Sequence, residues 1–410
     1  MDLRSKLGLY KEGIGKSQAG PANPHHREVD KLVPGRIVTN DDGSCYVIEN
    51  RYPLEHTHGS GCLGEALNVA EDILSSLDGG NWGGLGAGDL MFLDTETTGL
   101  SGGAGTVAFL VGVGFFEEGT YLVRQYFMRD YDEEAAMLYE LQQLFSKRKG
   151  FVTFNGKSFD INLLQSRFIS NRLKPAFREL PHLDLLYPSR KVWGLKLENC
   201  RLSSLEENVL EEYRSDDIPG AQIPAVYFKY LDDRDAGDIK RVIRHNELDI
   251  LSMVSLLARL SAMLQSPMSQ TDGGYELLGL GRIFEANGKT DSMLECFEAC
   301  TGSEHYAIRS QAVKRLTGEY KRSGNYDRAL EHWKAMESEN TGFELFHLVE
   351  MAKYYEHKAK DFEFALILTE KALQNCHHAG MSGDRRVDEL RKRRERLRRK
   401  SEAIKMSKGS

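Results

Sequence analysis

Leu90-Met91-Phe92-Leu93-Asp94-Thr95-Glu96-Thr97-Thr98-Gly99-Leu100 is the stretch on which the reading of the 410-residue chain turns. Its apolar run predicts a buried strand that delivers two carboxylates just where it gives out into a Thr/Gly turn. Side chains at i and i+2 of an extended chain share a face, so Asp94 and Glu96 are expected to point at one place. Two carboxylates held together repel, and a bound cation is their natural neutraliser. A bare D-x-E is more often a solvated acidic turn, so the weight of the reading rests on partners elsewhere in the chain.

Downstream the pattern is α/β. Apolar runs at Thr106–Phe116 and Tyr121–Phe127, joined by Glu117-Glu118-Gly119, predict an antiparallel meander with the acidic strand. Glu133–Phe145 carries a helical stripe of Ala136, Met137, Leu141, Leu144 and Phe145. Phe151–Asn155 reads as a strand, Ser158–Phe168 as a helix with Ser158 as N-cap, and His182–Leu186 as another strand. The order βββαβαβα predicts a mixed five-stranded sheet with flanking helices, the α/β ribonuclease H-like architecture.

Two further elements bear chemistry. Asn155-Gly156-Lys157-Ser158-Phe159-Asp160 places a carboxylate at the start of the helix after the fourth strand, aimed at the carboxyl edge of the sheet. A long helix over Asp238–Gln265 contains His245-Asn246-Glu247-Leu248-Asp249, in which the i,i+4 spacing puts His245 and Asp249 on one face. The bland alternatives are a dipole-favoured helix start and a solvated polar stripe.

Order and spacing of the three elements resemble the DEDD superfamily of 3'-to-5' exonucleases, over about residues 89–262. The resemblance implies that Asp94, Glu96, Asp160 and Asp249 hold two Mg²⁺ or Mn²⁺ ions, and that His245 is the general base. It also implies that the turn at Thr97, Thr98, Gly99 and Leu100, together with Asn155, binds substrate. In the histidine branch of that superfamily the base usually stands five residues before the last aspartate. Here the spacing is four, as in the tyrosine branch.

The remaining sequence bounds the partners. No apolar run approaches the length of a membrane span and the first residues have no apolar leader core, so a cytoplasmic protein is expected. Six cysteines are scattered without a C-x-x-C pair, which suggests neither zinc nor disulfides. The H-x-H of His56 and His58 lacks a third nearby ligand and reads as structural or as a surface feature. Residues 1–35 are expected to form a loose arm, and 36–88 a hairpin, a helix over 63–77 and a Gly-rich linker. The nuclease domain then spans 89–265. Over 272–380, Met293-Leu294, Ala329-Leu330 and Ala365-Leu366 recur every 36 residues, each after a turn, which predicts tetratricopeptide-like helical repeats. The net charge is −7, yet Arg385–Lys400 holds ten basic and three acidic residues, leaving −14 elsewhere. That basic tail, within 381–410, is read either as a phosphate-binding element or as a solvated helix.

Hairpin segment, nuclease domain and helical repeats in this order resemble the bacterial YprB family of ribonuclease H-like proteins, also called mitomycin repair factor B. That resemblance implies a DNA exonuclease in DNA repair with a helicase partner. An RNA-trimming exonuclease and a non-catalytic adaptor that binds nucleic acid through the tail stand beside it as alternatives.

Overall fold

Residues 36–184 build one mixed sheet of seven strands, two more than the five expected. The structure is a computed structural model that describes residues 27–99, 105–338, 344–381 and 384–408. The expected arm therefore falls mostly outside the described residues. The chain divides into two units, Met1–Gln270 and Thr271–Ser410.

In the first unit a short helix α1 (Val29–Leu32) leads into the hairpin β1 (Arg36–Asn40) and β2 (Gly43–Pro53). Two-residue strands β3 (Thr57–His58) and β4 (Gly61–Cys62) and helix α2 (Glu71–Asp78) precede β5 (Leu90–Thr97), β6 (Ala108–Glu117) and β7 (Thr120–Phe127). Then follow α3 (Glu134–Phe145), β8 (Gly150–Thr153), α4 (Asp160–Ser170), β9 (His182–Asp184), α5 (Leu186–Trp193), α6 (Leu202–Leu205), α7 (Ile223–Asp233) and α8 (Ile239–Gln265). The sheet order is β1-β2-β7-β6-β5-β8-β9, antiparallel as far as β5 and parallel from β5 to β9.

The two extra strands are the N-terminal hairpin. Tyr46 through Pro53 pair antiparallel with Phe127 through Thr120, so the hairpin continues the sheet instead of standing apart. Cys45, Tyr46, Val47 and Ile48 are consecutively buried because β2 lies inside the sheet. The Gly-rich stretch is not a free linker either. Trp82 is buried within it and donates from Nε1 to Asp78 Oδ1 at 3.1 Å. The helix expected over 63–77 breaks into a 3₁₀ turn, Leu63–Asn68, and α2, with Val69 and Ala70 extended between them.

Two features set the stage for the acidic residues. β8 pairs with β5 only at Leu90–Phe92, so Leu93–Thr97 run on past it, flanked in the sheet by β6 alone. On β6, a Cβ at Gly112 would stand 2.1 Å from Asn246 Oδ1 and 2.5 Å from Ile250 Cδ1, and one at Gly114 would stand 2.4 Å from Ile250 Cγ2. These glycines let α8 lie against the sheet beside the free end of β5.

The second unit is helical. Three helical hairpins, α9 (Gly274–Ala286) with α10 (Thr290–Cys300), α11 (Tyr306–Arg322) with α12 (Tyr326–Ser338), and α13 (Phe346–Tyr354) with α14 (Phe362–His378), precede α15 (Arg385–Lys408). The turns inside the hairpins hold Gly288, Gly324 and Lys360 at φ of 68°, 79° and 58°. Those positions are 36 residues apart, and so are the buried Phe297, Trp333 and Thr369. The basic segment is neither a free tail nor a wholly solvated helix. Val387, Leu390 and Leu397 of α15 are buried. Beside them the buried Glu356 accepts from Arg393 Nη1 at 2.7 Å, Arg396 Nε at 2.7 Å and Lys400 Nζ at 2.9 Å. No described helix is long and apolar enough to cross a membrane.

Candidate active site

Asp94 and Glu96 occupy the overhanging end of β5, where the register against β6 shifts between Glu96 and Thr97. Asn246 of α8 donates from Nδ2 to Asp94 Oδ2 at 2.7 Å, and is itself held by Gln125 Nε2, which donates to its Oδ1 at 2.8 Å. Between the two acids Thr95 donates from Oγ1 to Asp160 Oδ1 at 2.5 Å, tying the first residue of α4 to β5.

Asp160 reaches that position because the preceding turn is pinned. Asn155 adopts φ of +64°, and the buried Asp184 at the end of β9 accepts from the backbone amides of Asn155 at 2.7 Å and Lys157 at 3.0 Å. The helix starts at Asp160 itself, and Ser158 lies in the turn instead of capping it.

On α8 the i,i+4 pair holds. His245 Nε2 lies 3.7 Å from Asp249 Oδ2 and 3.9 Å from Glu96 Oε1. Its other nitrogen, Nδ1, lies 2.8 Å from Asp217 Oδ1. Arg214, nearly buried, donates to Asp249 and to Glu206 and reaches Asp217 Oδ2 at 3.2 Å. Below it, Ser252 donates to Glu206, and His58 Nε2 lies 2.7 Å from Ser252 Oγ. His58 is thus a buried structural residue whose pKa burial pushes down to about 4.

Electrostatics mark the cluster as strained. Burial, then the charges of Asp249 and Asp160, push the Asp94 carboxyl well above the ordinary range. Burial and then Asp94 do the same to Glu96. Asp160 is raised by burial to about 6 despite the Thr95 hydrogen bond. Burial alone would raise Asp217 too, but the His245 hydrogen bond and the Arg214 charge outweigh it and hold the group below its usual value. Burial would lower Arg214, yet Asp249 and Glu206 keep it above the ordinary guanidinium value.

Among the described residues no three His, Cys, Asp or Glu side chains stand in a ready-made metal-ligating arrangement. The donor set still suits a hard divalent cation. It consists of carboxylate oxygens, its burial works against its own negative charge, and Arg214 already answers part of that charge at Asp249. Of the expected substrate-binding positions, Thr97 donates from Oγ1 to the Gly99 carbonyl at 2.9 Å, and the Thr98 amide is taken up by the Val107 carbonyl at 3.0 Å. Leu100 lies outside the described residues.

Arg214, Asp217 and Glu206 escaped the sequence reading, since Tyr213-Arg214-Ser215-Asp216-Asp217 looks like any polar loop. Asp184 could have been found, because its strand, like β5, passes from a buried leucine straight into a carboxylate.

The family model described as the RNase_H superfamily matches residues 91–261. The uncharacterized protein YprB of Bacillus subtilis (strain 168) is 30% identical over 98% of this chain and 99% of its own length. Among solved structures, the family B DNA polymerase from the hyperthermophilic archaeon Pyrobaculum calidifontis is similar at 14% identity and a TM-score of 0.35. That match covers 51% of this chain and 28% of the polymerase.

Proposed function

The chain belongs to the family of the Bacillus subtilis protein YprB and carries an RNase_H superfamily domain, and from that premise we propose that it is a metal-dependent 3'-to-5' exonuclease that hydrolyses DNA. The observation that carries the proposal is the gathering of Asp94, Glu96, Asp160 and Asp249 where β5, α4 and α8 meet, with His245 beside them. Those four carboxylates would hold two Mg²⁺ or Mn²⁺ ions. Such ions, when bound, neutralise phosphoryl charge and lower the pKa of a water.

The chain's own residues do the rest. Asn246 and Thr95 fix one oxygen each of Asp94 and Asp160, so that these carboxylates are oriented before substrate arrives. His245, with Nε2 facing Glu96 and Asp249, takes the proton from the attacking water during in-line displacement at phosphorus. Thr97, Thr98, Gly99, Leu100 and Asn155 are the residues that would receive the terminal nucleotide. The second unit, read as tetratricopeptide-like repeats, offers the surface for a helicase partner in DNA repair.

The test is digestion of 5'-labelled single- and double-stranded DNA and RNA with and without Mg²⁺. Metal-dependent ladders shortened from the 3' end of DNA are expected. Cleavage of RNA alone would move the substrate class to RNA, and inertness of all four substrates would leave an adaptor.

A further inference from the structure

We propose that Asp217 is the positioning residue of the His245 base, setting the tautomer and the aim of its ring. The inference rests on the nuclease reading above and names the part of the site that this reading leaves open. Asp217 Oδ1 and Oδ2 lie 2.8 and 3.0 Å from His245 Nδ1. A carboxylate only accepts, so in the neutral ring Nδ1 carries the hydrogen and Nε2 keeps its lone pair. That lone pair is on the side of Glu96 and Asp249, 3.9 and 3.7 Å away, where a water would have to lose its proton. The other tautomer would set the lone pair of Nδ1 against a carboxylate and leave Nε2 unable to accept.

Arg214 also comes within 3.3 Å of Nδ1, but a guanidinium only donates, and a protonated Nδ1 cannot accept. Its Nη1 has a partner in Asp217 Oδ2 at 3.2 Å. Arg214 therefore steadies the carboxylate that steadies the ring.

The loop that carries Asp217 is anchored for this task. Ile218 is buried beside it, and its amide donates to Asp217 Oδ1 at 2.8 Å. From α8, one turn before His245, Arg241 donates through Nη2 to the Asp217 carbonyl at 3.1 Å. Loop and helix are thus tied together at the residue next to the buried Ile218, a geometry that a solvent-facing ion pair would not need.

A cycle of Asp217→Ala, His245→Ala and the double variant, assayed on whichever nucleic acid the intact chain cleaves, tests the proposal. Asp217→Ala is expected to lower kcat about 10- to 100-fold with KM little changed, the usual cost of losing an orienting partner. Asp217→Asn, which keeps an acceptor for the Nδ1 hydrogen and the shape of the loop, should recover part of that loss. In the His245→Ala background, Asp217→Ala should cost nothing more. The ¹⁵N signals of the His245 ring give a second readout that needs no turnover, with Nδ1 protonated in the wild type and the tautomers mixed in Asp217→Ala. An equal fold-loss in both backgrounds, or an unprotonated Nδ1 in the neutral wild-type ring, overturns the proposal while leaving the nuclease reading in place. A wild-type chain that cleaves no nucleic acid with metal present overturns both.

Discussion

Asp160 shows the cost of the site at a single carboxyl group. Its pKa is raised to about 6 by burial, so the group is neutral in the folded metal-free protein at mildly acid pH and ionised in the unfolded chain. A raised folded-state pKa contributes stability that is present below the unfolded value and lost as pH rises through the folded one. The Asp160 contribution therefore fades between about pH 4 and 7, and the burden at neutral pH is about 3 kcal/mol at 1.36 kcal/mol per unit. Asp160→Asn, which can still accept from Thr95, is expected to stabilise the metal-free protein by about that much at pH 7 and by nothing near pH 4. Denaturant unfolding of the two proteins across that range checks it, and a difference independent of pH would contradict it. The comparison must be between variants, because the buried His58 and the half-buried His182, lowered to about 4 and about 3, cost stability as pH falls below the ordinary histidine range.

Arg214 makes the opposite case at the same scale. It is nearly buried against Asp249, Glu206 and Asp217, so Arg214→Met strips a cation from three carboxylates that stay behind. A loss of about 3–5 kcal/mol is expected, as for other broken buried pairs. Unfolding measured with and without Mg²⁺ should show the metal restoring more stability to the variant than to the wild type. Equal gains would mean that Arg214 and the metal do not share Asp249. Neither Arg214 nor Asp217 was legible beforehand, since what brings them to the candidate site is a tertiary contact and not a local pattern. The proximity of the four proposed carboxylates was legible because the sequence displays the strand that carries Asp94 and Glu96, the strand-helix turn before Asp160 and the helix period behind Asp249.

At the scale of elements, the close approach of α8 to β6 holds the third part of the site in place. Gly112→Ala would drive a Cβ onto Asn246 and Ile250, so the helix that carries His245 and Asp249 must shift. About 1–3 kcal/mol of destabilisation is expected, with activity falling further than stability, because Asn246 also orients Asp94. Gly220→Ala, with nothing within 4 Å of the added methyl, is the control and should change neither. Parallel melting curves and rates for the two variants decide the matter.

The N-terminal hairpin is where sequence reasoning stopped short at this scale. Its strands were recognisable from Arg36-Ile37-Val38 and Cys45-Tyr46-Val47-Ile48, but nothing local says that β2 docks on β7. That pairing joins residues 120 and 53, across α2 and the four strands β3 to β6, and register across such a gap is set by packing. Likewise Trp82 turned an apparent linker into buried structure, an outcome that its ten Gly-rich neighbours concealed.

At the scale of the whole molecule, the charge asymmetry of the sequence acquires a structural role. Part of the excess in α15 is internal to the helical unit, because Arg393, Arg396 and Lys400 converge on Glu356. Burial alone would raise Glu356, but the hydrogen bonds from Arg396 and Lys400 outweigh it and hold the group at about 2. Deleting the helix would expose Val387, Leu390 and Leu397, so a deletion cannot separate binding from folding. Replacing the exposed Lys392 and Arg399 by Ala is the cleaner probe. If they meet phosphates, the slope of log affinity against log salt should flatten by about 0.7–0.9 for each. An unchanged slope would assign them to solvent.

The central claim is that the carboxylates gathered at the end of β5 form the metal-dependent site of phosphodiester cleavage. Its most direct test follows a 5'-labelled single-stranded DNA with the wild type and with Asp94→Asn, each at saturating Mg²⁺ and again in excess EDTA. Stepwise shortening from the 3' end by the wild type with Mg²⁺ alone, and none by a folded Asp94→Asn protein, is the expected result. Cleavage by Asp94→Asn at the wild-type rate, or cleavage that persists in EDTA, would contradict it.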